Sequence, residues 1–422
     1  MVCATLFYYC VLGPFYSISV DETVVVYKDA RPYYYLGWLA TLIGILGYFC
    51  GYHFGVYGSI FSLGRRFRGN KQTLVAISGV FLAFGFLGLL FMVKSKGMSL
   101  GSILMPGNSP ARVGASVELG SFGNYVTSMT NFIFGFVLIL VALNRGLKMR
   151  ILIPAGGLFL LFVLLWAAAG FRGNIVMAIV GLGVLVCLLK RRHPAIPTLT
   201  VISLSLVFLS GIILYSRNYF RGLDFERLNE RTAGEILEGG LNESMTFGAM
   251  SLCIEAVPER FPYHGLENLW LTITMPIPRQ LWPGKPTSTY LGDIQRILGE
   301  GEARETVGQA IPNLGEYYMA LGWPGVFCGM FLFGLICRKF WRWYVFNRND
   351  VLATAAYAVF FAWIFTFMHR GFLPQTFTSF CFLVLPLLVI RHFVGTIPLQ
   401  RILPAKEKED EAQGSTEAAH SQ

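Results

Sequence analysis

Long apolar runs, separated by short and often basic breaks, set the pattern of this chain. Ten of them approach the ~20 residues that a helix needs to cross about 30 Å of hydrocarbon. They are residues 1–20, 33–56, 73–93, 122–143, 151–170, 173–189, 197–216, 313–337, 351–368 and 372–390. Each predicts a transmembrane helix, because hydrocarbon leaves every backbone N–H and C=O to be satisfied within the segment. Residues 1–20 lack a basic start and a clean small-residue cleavage site, so they read as a first span and not as a signal peptide. No internal repeat is visible.

Between the seventh and eighth runs lies a stretch, 217–312, too long and too polar for a mere connector. Within it, residues 241–257 predict a helix of about four turns, with Leu241, Met245, Leu252 and Ala256 along one face and Pro258 as its stop. Residues 266–282 are apolar but short and broken by proline. Such a segment lies at the membrane interface or re-enters the membrane against protein, and Trp270 and Trp282 suit that depth. The residues after Pro404 are small, charged and polar and read as disordered. The expected fold is an all-α polytopic membrane protein of about ten transmembrane helices. Seven lie in 1–216 and three in 313–392; 217–312 is a large extracytoplasmic loop containing short helices, and 393–422 is a cytoplasmic tail.

Composition agrees. Of 422 residues, 54% are hydrophobic and 14% charged, with a mean hydropathy of +0.55, outside the soluble range of ~25% charged. A net charge of +10 would point a soluble protein toward nucleic acid. Here more than half of the 34 Lys and Arg follow even-numbered runs, so the positive-inside rule accounts for them and puts both termini in the cytoplasm. The eight cysteines show no metal-ligand spacing, and only Cys253 falls outside the apolar runs.

That bias makes the cations on the other side informative. Arg172 (GFRGN) sits between two runs, Arg217 and Arg221 (RNYFRG) open the long loop, and His369 and Arg370 (HRG) form the turn between the last two spans. Arg279 and Lys285 lie in PIPRQLWPGKP, whose prolines fix φ and stiffen the loop. The stretch reads either as an anion clamp or as an anchor on lipid phosphate. Arginine forks bind phosphate oxygens in bidentate fashion, so several at one level point to a lipid-linked phosphate or diphosphate. For a general base the candidates are Glu316, at the edge of the eighth run, and His369 and His264, with Asp293, Glu243 and Glu255 weaker. No phosphate loop, dinucleotide fingerprint, metalloprotease or serine-hydrolase motif occurs, and no aspartate-rich metal motif. The spans carry almost no charge, which argues against a proton-coupled pump or an ion channel.

The layout, with IPRQLWPGKP, NLGEYYMALGWPGVFCGMFLFG and an early GPFYSI, resembles the oligosaccharide repeat-unit polymerases, the Wzy-type O-antigen polymerase family. The resemblance implies a GT-C-like, metal-independent glycosyltransferase of the bacterial cytoplasmic (inner) membrane, with no cofactor. Its substrate would be a glycan on undecaprenyl diphosphate, built into O-antigen, capsule or exopolysaccharide. Membrane lipid, a chain-length regulator and a flippase would be its partners, and nucleic acid would not. Carried onto this sequence, Arg172, Arg217, Arg221, Arg279 and Arg370 would bind the diphosphate with Lys285 in support. Glu316 or His369 would be the base or its orienter. The alternatives are an O-antigen ligase-like transferase, which a loop histidine such as His264 would serve, and a lipid-linked glycan transporter, which would need a cationic cavity at mid-membrane.

Overall fold

The computed structural model describes residues 2–21, 23–25, 28–57, 68–95, 121–144, 148–168, 171–191, 194–216, 228–241, 245–275, 277, 281–286, 289–299 and 311–399. Among these, all ten apolar runs form helices long and apolar enough to cross a membrane. The first seven are α1 (Val2–Ser19), α2 (Tyr34–Phe54), α3 (Lys71–Ser95), the pair α4 (Ser121–Ser128) and α5 (Asn131–Leu143), α6 (Met149–Ala168), α7 (Arg172–Lys190) and α8 (Ile196–Ser216). Among the described residues the long loop then holds the short helices α9 (Ala233–Leu241), α10 (Met245–Ala256), α11 (Glu267–Thr274) and α12 (Tyr290–Leu298). The last three spans are α13 (Asn313–Phe346), α14 (Val351–His369) and the pair α15 (Leu373–Leu383) and α16 (Leu385–Val394). A two-stranded antiparallel ribbon, β1 (Val24–Val25) with β2 (Lys28–Asp29), joins α1 to α2.

Water drives nothing together inside a bilayer, so close backbone approach through small residues does the work. The seam between α2 and α13 follows this rule. A Cβ at Gly47 would stand 2.5 Å from the carbonyl oxygen of Phe327, and one at Gly51 1.8 Å from that of Phe331. At the centre runs α14, whose Ala353, Ala355, Ala356, Ala358 and Ala362 are all fully buried. At its start Asp350 caps the helix and accepts Arg391 Nε at 2.6 Å, while a second nitrogen of Arg391 reaches Asn347 Oδ1 at 2.8 Å. The backbone N–H of Ile397 also donates to Asp350, at 3.1 Å. Arg391, which the sequence places beyond the tenth span, is in fact buried inside it.

Two expectations about the long loop change. The predicted helix 241–257 is shorter: Leu241 ends α9, and the helix proper is Met245–Ala256. It is also buried all round and not along one face, with Phe247, Ala249, Met250, Leu252, Cys253, Ile254 and Ala256 at 3% exposure or less. Nor does α9 stand clear of the spans. A Thr232/Glu235 capping box opens it, the backbone N–H of Thr232 donating to Glu235 Oε2 at 2.8 Å and that of Glu235 to Thr232 Oγ1 at 3.3 Å. It then runs beside α8 so tightly that a Cβ at Gly240 would stand 2.1 Å from the carbonyl oxygen of Val207, halfway along that span. Gly239 and Gly240 permit an approach that hydropathy does not record. Burial pushes the Cys253 thiol up to about 12, so it is an inert packing group. Residues 217–227 and the tail lie outside the described residues.

Candidate active site

The eighth span is where sequence and structure diverge most. Helical dihedrals fail at Leu321 (φ −141°, ψ 18°) and Gly322 (φ 67°, ψ −152°). The second pair belongs to a region open essentially to glycine alone, and Pro324 then starts the second arm with its φ already helical. The first arm, 313–320, doubles back along the second. The side-chain amide of Asn313 reaches the sulfur of Met330 at 3.8 Å, and a Cβ at Gly329 would stand 2.5 Å from the Tyr317 ring. So Glu316 does not sit at the open mouth of a straight span. It lies on a short arm folded into the bundle, with 4% of its surface exposed.

Three elements meet at that carboxylate. The side-chain amide of Asn268, on α11, donates to Oε1 at 2.6 Å. The backbone N–H of Leu373, the first residue of α15, donates to Oε1 at 2.9 Å and Oε2 at 3.1 Å. Glu316 thus caps α15 from another helix and lies at the positive end of its dipole. Among the described residues it forms no ion pair with an arginine, the other role open to it.

Just before Leu373 comes the His369–Arg370–Gly371 turn. The N–H of Gly371 donates to the carbonyl of Ile311 at 2.6 Å, and Tyr290 OH, on α12, donates to the carbonyl of Gly371 at 2.6 Å. The ring of His369 stacks on Tyr9 with centroids 4.5 Å apart. His369 and Arg370 are both half-buried. Arg172 comes to the same height from the other side. Gly181 packs on Ala362, and from that contact α7 runs back to Arg172 and α14 forward to Arg370 over nearly equal lengths at ~1.5 Å per residue. Only the backbone of Arg172 is described, and Arg217, Arg221 and Arg279 lie outside the described residues.

Lys285, near the end of PIPRQLWPGKP, ties back to the start of that stretch. Lys285 Nζ donates to the carbonyls of Met275 at 3.0 Å and Ile277 at 3.1 Å, closing the chain behind α11. The Met275 carbonyl also accepts Tyr125 OH, and its sulfur lies 3.4 Å from Thr378 Oγ1 on α15. Lys285 therefore shapes this lip through the Met275 and Ile277 carbonyls. On the outside of α11, Leu266, Leu269, Trp270 and Ile273 are exposed.

A second polar cluster stands between α11 and α12. His264 Nδ1 lies 3.3 Å from Glu267 Oε2 and 3.2 Å from Thr289 Oγ1, and Nε2 lies 3.5 Å from Asp293 Oδ2. Burial disfavours the Glu267 anion, but the Thr289 N–H and hydroxyl and the His264 imidazole outweigh it and hold the carboxyl below the usual range. Both ring nitrogens of His264 thus face acceptors, which makes it a brace between the two helices. Among the described residues no group of three or more His, Cys, Asp and Glu is placed to hold a metal ion. Sequence reasoning missed Asn268 and Tyr290, which carry no motif; only their partners mark them.

With this geometry in hand, comparison with known proteins gives one result. The family model described as O-antigen polysaccharide polymerase Wzy matches residues 38–398, most of the chain. No curated protein and no solved structure matches.

Proposed function

The chain belongs to the O-antigen polysaccharide polymerase Wzy family, and from that membership we propose how its residues perform the polymerisation. The protein polymerises oligosaccharide repeat units into O-antigen. The donor is the growing glycan on undecaprenyl diphosphate, at the outer face of the inner membrane, and both termini of the enzyme are cytoplasmic. A hydroxyl at the non-reducing end of a new lipid-linked unit attacks the anomeric carbon of the donor's reducing-end sugar. The new glycosidic C–O bond forms as the anomeric carbon–phosphate oxygen bond breaks. Undecaprenyl diphosphate leaves with the electron pair, and the hydroxyl proton passes to a base.

Arg370 and Arg172, with Arg217, Arg221 and Arg279, carry the charge that develops on the leaving diphosphate. Lys285 contributes by fixing the shape of the lip that presents Arg279. His369, half-exposed beside Arg370, takes the proton, since an imidazole titrates near working pH. No metal takes part. What supports the reading is the junction at Gly371, where the Arg370 turn, the folded-back arm and α12 are joined by hydrogen bonds.

The test is to delete the gene in its host and resolve surface and lipid-linked glycans on a gel, then restore wild type or Arg370→Ala. The expected outcome is acceptor capped with a single repeat unit in the deletion, a ladder with wild type, and its loss with the variant. Bare acceptor with polymer stranded on undecaprenyl diphosphate would replace this reading with that of a ligase. An unchanged ladder would sink it.

A further inference from the structure

We propose that Glu316 is a positioning residue: it joins two of the segments that carry candidate diphosphate-binding cations, the Arg370 turn and the lip that Lys285 closes, and sets their spacing. This rests on the reading above. It separates the two roles that the sequence left joined, base and orienter.

Both segments reach the carboxylate by a bond of their own. Leu373, whose N–H bonds both oxygens, lies three residues beyond Arg370, so Glu316 fixes the far side of the His369–Arg370–Gly371 turn. Ile311, at the foot of Glu316's own arm, holds the near side through the Gly371 N–H. Asn268 connects the carboxylate to α11, and α11 leads into the loop that Lys285 closes and that carries Arg279. A shift of Glu316 would therefore change the separation of the Arg370 turn and the Lys285 end of the lip, on which a two-phosphate ligand depends.

The same bonds count against proton transfer. Glu316 is almost sealed from solvent, and both its oxygens already accept N–H donors. A base would need an oxygen facing the attacking hydroxyl within hydrogen-bond reach.

The two roles part at Glu316→Gln. Asn268 Oδ1 is buried and makes no hydrogen bond. In Glu316→Gln the carbonyl oxygen, placed as Oε1, still accepts both the Asn268 amide and the Leu373 N–H, and the new N–H donors are the groups that can answer the Asn268 oxygen. The junction survives without a carboxylate. Glu316→Ala removes both contacts.

The experiment uses the full-length purified enzyme in proteoliposomes, with undecaprenyl-diphosphate-linked repeat units as substrate. It measures kcat and KM for wild type, Glu316→Gln, Glu316→Ala and Asn268→Ala, with thermal melts of each. Glu316→Gln should keep kcat within about threefold of wild type, and Glu316→Ala and Asn268→Ala should raise KM about tenfold or more with little change in kcat. If Glu316→Ala does not fold, Asn268→Ala alone carries the KM arm. A Glu316→Gln enzyme that folds but loses kcat about a thousandfold would overturn the proposal and make Glu316 the base. Unchanged KM in Asn268→Ala would overturn it too. Wild-type protein that makes no polymer would sink the underlying reading instead.

Discussion

The side-chain amide of Asn313 lies 3.8 Å from the sulfur of Met330, seventeen positions further along what hydropathy reads as one helix. In a straight helix those residues would stand about 25 Å apart. The reversal at Leu321–Gly322 removes that distance and takes Glu316 from the mouth of a span into the interior.

The reversal can be tested directly. Asn313→Cys paired with Met330→Cys should be joined by a short thiol cross-linker in membranes, with a mobility shift on a denaturing gel. A straight helix would give no such product. Gly322→Ala should destabilise the bend by ~1–3 kcal/mol, since φ is +67° there and the Tyr263 hydroxyl would lie 3.0 Å from the new Cβ. The expected readout is a weaker cross-link together with a shorter glycan ladder.

Lys285→Met should loosen the lip while leaving the spans intact. Two charge-assisted hydrogen bonds to the Met275 and Ile277 carbonyls are lost, together worth on the order of 2 kcal/mol. Protein level and thermal melting should hold, and KM for the lipid-linked donor should rise about tenfold. A variant with wild-type KM would remove Lys285 from the site altogether.

At the far end of the bundle, Asp350→Ala would take from buried Arg391 the carboxylate that balances its charge. Arg391 is 1% exposed and also sits over the Trp343 ring at 5.3 Å. Breaking such a pair costs about 3–5 kcal/mol, so the variant should be scarce in membranes and melt earlier in detergent. Asp350→Asn, which keeps a carbonyl oxygen for the Arg391 Nε and the backbone donors, should lie between.

The brace at His264 gives a pH dependence of fixed sign. Burial disfavours the charged form of Glu267, but the bonds from Thr289 and His264 win and depress its pKa on folding. A depressed carboxyl contributes stability that is fully present above its unfolded value, near 4.3, and is lost as pH falls through the lower folded value. The part of the α11–α12 contact that Glu267 supplies should therefore be lost only as pH falls below about 4. Hydrogen exchange at Thr289 and Tyr290 would report it. In Glu267→Gln that acid-range change should disappear.

By itself the sequence determined the ten helical runs and the fold class. A backbone that crosses hydrocarbon must satisfy its own hydrogen bonds, and it takes about twenty apolar residues to do so, so composition leaves no other structure. It also marked the Arg370 turn and the proline-rich lip, because charge and proline stand out against such a background. Hydropathy has no direction, however. The run 313–337 is equally apolar whether it continues or doubles back, and only Gly322 followed by Trp323 and Pro324 hinted at the bend. The tertiary structure alone decided that α10 is buried all round, that Arg391 lies inside its span, and that Glu316 is claimed by Asn268 and Leu373. Those last two partners stand 48 and 57 positions away. Bonds of that kind depend on which helices pack together, and in a membrane that choice rests on close fit between small residues more than on any apolar pattern.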